Sequence, residues 1–126
     1  MATDSVIVTQ EEIAKFRTEL ANYPKPEAIT ALNVIEECDG DVEDAIPLLL
    51  LRETGTEPDR SLDDLLEGSR RFICQEEVRE ALESGIIGSA IEPISMGAGF
   101  PPGTATAICI FAFKLGIKKL CNDSEA

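Results

Sequence analysis

Ala31 to Leu51 reads ALNVIEECDGDVEDAIPLLLL, and this stretch decides the fold class. A helix with Ile29, Leu32 and Ile35 on one face, and Ala28 and Ala31 allowing close approach, runs into an acidic turn built on Gly40. A second helix starts at once, with Asp41 as its N-cap. Glycine placed just past a helix end takes the left-handed backbone without a Cβ penalty. An aspartate at the N-cap accepts from the free N–H groups of the next first turn, and Asp44 adds negative charge where the helix dipole favours it. The segment is a tight helix-turn-helix corner, and it contains no catalytic group.

The same reading extends in both directions. Upstream, Pro26 suits a first helical position, so the helix entering the corner spans about Pro26 to Cys38. Pro24 and Pro26 end an earlier helix over about Gln10 to Asn22. That helix opens with a capping box, Thr9 with Glu12, and carries Ile13, Phe16 and Leu20 on one face. Met1 to Val8 reads as a loose arm. Downstream, Pro47 should bend the third helix, and TGTEPDR (Thr54 to Arg60) reads as a linker. Ser61 and Asp64 cap a fourth helix that weakens at Gly68-Ser69. A fifth runs from about Cys74 to Ser84. A short sixth carries Ile86, Ile87 and Ile91 and ends at Pro93. MGAGFPPG (Met96 to Gly103) is a loop, and a last helix covers about Thr104 to Cys121. No segment has the clean alternation of a strand. The expectation is an all-α chain in two halves, residues 1–54 and 61–126, forming one unit around a central apolar helix.

Composition narrows function by exclusion. The 126 residues carry a net charge of −13, with a pI near 4.3 and 44% apolar residues. A nucleic-acid binder needs a basic footprint, which is missing. Anionic bilayer surfaces are disfavoured on the same ground. The first residues, MATDSVIVTQEE, have neither the basic start nor the apolar core of a signal peptide. Cys38, Cys74, Cys109 and Cys121 lack C-x-x-C spacing, and the chain has no histidine, which argues against zinc. Three of the four fall in helical apolar contexts, so free thiols and a reducing, cytoplasmic setting are expected.

Chemistry-bearing motifs fail on inspection. The acidic run from Glu36 to Asp44 does not match a calcium loop: counted from Glu37, Val42 takes the glycine position and Leu48 that of the bidentate glutamate. Without histidine, a serine or cysteine nucleophile needs a lysine or carboxylate base, and no such motif occurs. Gly97-Ala98-Gly99 leads into Phe100-Pro101-Pro102, not into a phosphate-binding helix. No enzyme activity, cofactor or metal is expected. Asp59-Arg60-Ser61-Leu62 resembles the Asp-Ser-Leu attachment site of acyl carrier proteins, with Arg60 in place of the aspartate before the serine. Ser61 is explained more simply as an N-cap.

TATAICIFAF (Thr104 to Phe113) is apolar all round, which suits a fully buried helix or lipid. It is well short of the ~20 residues a spanning helix needs. A core helix is therefore expected, with Ile86, Ile87 and Ile91 against it and Lys114 reaching water. A membrane-associated hairpin using Ile86 to Ile94 is the alternative.

Glu11 to Arg52 resembles the ubiquitin-associated (UBA/CUE) class of three-helix modules. The residues that carry the resemblance are Ala31-Leu32, the Gly40-Asp41-Val42-Glu43 turn, Ala45 and Leu48-Leu49. It covers about a third of the chain. In that class a loop after the first helix and a dileucine closing the third form the contact patch. The resemblance thus implies a non-catalytic protein-binding module whose site includes Tyr23, Leu48 and Leu49. The partner is then a protein of unspecified identity, or a second copy of the chain.

Overall fold

Residues 6–56, 62–117 and 120–121 are described by the structure, a computed structural model. Among them are seven helices: α1 (Gln10–Leu20), α2 (Glu27–Glu37), α3 (Val42–Thr54), α4 (Leu62–Ile73), α5 (Glu76–Glu83), α6 (Gly88–Ala98) and α7 (Pro102–Leu115). The all-α expectation is met.

The corner between α2 and α3 is built as a Schellman closure. The Asp39 N–H donates to the Glu36 carbonyl at 3.0 Å, and the Gly40 N–H donates to the Ile35 carbonyl at 2.8 Å. Asp39 is therefore the first left-handed residue, at φ 58°, and Gly40 follows at φ 84°. Glycine is required at 40 for a second reason. A Cβ there would collide with the Val8 carbonyl. The arm expected to be loose is docked instead: Val8 N–H donates to the Gly40 carbonyl at 2.8 Å, and Val42 N–H to that of Val6 at 3.1 Å. Val6 and Val8 are buried. Their apolar side chains cover the α2–α3 corner while their backbone groups pair with it. Asp41 caps α3 as its sequence position demands, accepting from the Asp44 N–H.

Three helix boundaries differ from the sequence expectation. α4 continues past Gly68-Ser69, because Ser69 is buried and returns its hydroxyl to the Leu65 carbonyl. α6 continues through Pro93 and stops at left-handed Gly99. Pro93 and Ser89, the residue one turn back whose carbonyl it leaves unpaired, both lie on the exposed side, where water replaces the lost bond. α7 starts at Pro102, a favoured first-turn residue, and breaks at Gly116 (φ 111°) instead of running to Cys121.

α7 is the hub. Gly103 to Ala112 are all buried, and the helix packs against α2, α3 and α6 most extensively. Residues from both halves of the chain join one apolar core. Ile87 and Ile91 are in it as expected. Ile86 is not: it is 49% exposed, because the turn through Gly85 directs only its neighbour inward.

The free-thiol expectation is corrected for two of the four cysteines. Cys74 and Cys121 form a disulfide across 47 residues. The break at Gly116 turns the chain so that Cys121 meets the α4–α5 junction, a return no local spacing reveals. The argument for a reducing compartment rested on four free thiols and loses that support. Cys38 and Cys109 are unpaired.

Candidate functional site

Three glutamates of the N-terminal helices reach across to the C-terminal half. Glu12 on α1 takes the Lys114 ammonium at 2.8 and 2.9 Å. Glu19, also on α1, accepts from the Gly88 N–H at the start of α6, at 2.8 Å. Glu53 on α3 accepts from the N–H groups of Gly103 and Thr104 and from the Thr104 hydroxyl, at 2.7 to 2.8 Å. The last is an N-cap supplied by a residue fifty positions earlier. It places a negative charge on the positive end of α7. Gly103 leaves room for it, since a Cβ there would meet the carboxylate. Replacing Glu53 with alanine strands two N–H groups at a buried helix start. The expected loss is about 2 kcal/mol in a urea melt, with Glu53→Gln intermediate because the amide keeps one acceptor.

Burial alone raises the Glu12 carboxyl pKa, but the bond from Lys114, the Thr9 N–H and the lysine charge outweigh it and hold the carboxyl below its ordinary value. The tie it makes is fully present above the usual carboxylate range. It is lost as pH falls through the lowered value.

Glu12, Phe16 and Glu19 fall at i, i+4 and i+7 on α1 and share one face. Where this face meets the turn after α5, it leaves a groove of about 380 Å³. Phe16 and Phe113 floor it, with ring centroids 6.1 Å apart and planes at 85°. Glu12, Lys15, Glu19 and Ser84 line it. Ile86 stands exposed just beyond. On the other side of Phe113 lies a second hollow of about 400 Å³, bounded by Leu82, Glu83, Gly116 and Ile117. The two hollows share Phe113 as a common wall. Edge-to-face aromatic packing fixes that wall in place.

The residues implied by the UBA resemblance are not gathered into a free patch. Leu49 is 1% exposed and belongs to the core. α3 turns it inward, where α7 packs on this helix. Leu48 and Tyr23 are half-buried and packed on the core. The Tyr23 ring lies 3.8 Å from where a side chain at Gly88 would begin. Burial, with Glu92 as the next contributor, raises its phenol pKa. Phe113 was legible in the sequence only as part of a buried helix. Its half-exposed position, opposite Phe16, depends on where α7 ends relative to α1.

Neither free cysteine is set up as a nucleophile. Burial pushes the Cys109 thiol far up, and burial followed by the charge of Asp44 raises that of Cys38, so both stay protonated. Among the described residues no group of His, Cys, Asp or Glu side chains is placed to hold a metal ion. The Asp59-Arg60-Ser61 motif lies outside the described residues. Comparison with protein-family models, with curated proteins and with solved structures finds no match.

Proposed function

We propose that this chain is a non-catalytic protein-interaction module, an adaptor or regulator, and that it binds through the Phe16/Phe113 groove. The observation that carries the reading is the groove itself: an aromatic floor held by packing, rimmed by charged groups, with exposed Ile86 at its edge. A half-buried aromatic in a concave site, here Phe113 backed by buried Phe16, is the kind of anchor on which small interfaces concentrate their energy. The UBA-like character of Glu11 to Arg52 supports the same class of function. The groove is lined by none of Tyr23, Leu48 and Leu49, of which Leu49 is buried in the core.

The test is affinity capture from the native source, with mass spectrometry and competition by free chain. Recovery of one protein in stoichiometric amount, displaced by excess free chain, is the expected result. Recovery of nothing above a control resin, or turnover of a small molecule by the purified chain, would count against it.

A membrane-associated role is the second reading, favoured by one observation. No single helix among the described residues is long and apolar enough to cross a membrane. α6 and α7 together, bent by 118°, meet the length and composition of a broken span or re-entrant loop. Flotation with liposomes at neutral pH separates the two readings: the interaction module stays in the aqueous fraction.

A further inference from the structure

The groove beside Phe113 has an electrostatic setting that selects its occupant. Lys15 is the cation on its α1 wall, between Glu12 and Glu19. Glu12 is already neutralised by Lys114. Glu19 accepts from the Gly88 N–H through one carboxylate oxygen. The neighbouring helix α5 turns Glu76, Glu77, Glu80 and Glu83 outward, and within that helix Arg79 pairs with Glu83. Around these groups lies a chain of net charge −13.

A field of that sign repels nucleic acid, anionic bilayers, acidic peptides and a second copy of the chain, and it draws in cations. The floor makes the complementary demand. The Phe113 ring, half-buried with Phe16 buried beneath it, gains by being covered with a bulky apolar group.

We infer that the groove takes a cationic segment of another protein, with one bulky aliphatic or aromatic side chain seated over Phe113 and flanking Lys or Arg residues on Glu19 and the acidic face of α5. The inference rests on the interaction-module reading and adds the class of partner. Lys15 is an unfavourable charge in this arrangement. Ser84 is an exposed position where a new cation would oppose the ligand without harming the fold, since a helix C-terminus tolerates lysine.

The experiment is selection from a random peptide display library on the immobilised, oxidised chain, followed by titration of the enriched peptides and mapping of backbone amide shifts. Enriched peptides should carry net positive charge around a bulky apolar residue. They should shift the amides of Phe16, Ser84 to Ile86 and Phe113, and weaken as salt is raised. Ser84→Lys should reduce affinity about fivefold and Lys15→Glu raise it by a similar factor, the range of single exposed charges. Enrichment of neutral or acidic peptides, shifts confined to another face, or no response to either substitution would overturn the inference and leave the interaction-module reading standing. Failure to enrich any peptide, together with failure of the native capture, would overturn both.

Discussion

Ile110→Asp is expected to abolish the cooperative native state. Ile110 is fully buried in the middle of α7, within a run from Gly103 to Ala112 that has no exposed position. Removing the side chain forfeits roughly 1.5–3 kcal/mol of apolar burial. An unpaired carboxylate in its place adds several kcal/mol more, whether it is held charged or forced to take up a proton. The sum is comparable to the whole net stability of a domain, about 5–15 kcal/mol. Because α7 packs on α2 and α3 as well as on α6, the loss should reach both halves. Thermal circular dichroism should lose its sigmoidal transition, and amide spectra should collapse to narrow dispersion. An unchanged melt accompanied by loss of liposome association would instead move α7 from the core to a membrane role.

Opening the Cys74–Cys121 bond is expected to be the next largest effect. The bond closes a loop across 47 residues. Freeing a loop of that size gives the unfolded chain entropy worth about 4 kcal/mol on the chain-entropy model. The paired substitution Cys74→Ser with Cys121→Ser should lower the urea midpoint accordingly, and a dithiol reductant should do the same to the natural chain. Alkylation of the unfolded, unreduced protein should label Cys38 and Cys109 alone, and all four cysteines after reduction. Labelling of all four before reduction, or coincident urea curves, would show that the bond is not part of the native state.

The elements that could be read in advance are those governed by neighbours in the chain. The capping box of Thr9 and Glu12, the Asp41 cap, the stripe Ile13, Phe16, Leu20 and the all-apolar run in α7 each depend on interactions within a turn or two of helix. Local physics is enough to place them. Boundaries failed where packing overrode a local signal. Pro93 and Gly68-Ser69 are weak helix formers, but α6 and α4 are held by what they bury. Gly40 illustrates both cases. Its need for a left-handed backbone was legible, whereas its second task, admitting the backbone of Val8, was not.

By itself, then, the sequence determined the helical class, the corner at Gly40-Asp41, the net acidity of the chain, and the identity of the helix that becomes the core. Helix periodicity and end-capping are short-range, and net charge is a sum, so each survives without coordinates. The tertiary structure alone decided the three glutamate ties, the Cys74–Cys121 bond, the inward turn of Leu49 and the meeting of Phe16 with Phe113. Each of these joins residues far apart in the chain. Which partners meet is set by how α7 lies against α1, α2 and α3, and that depends on the packing of many side chains at once.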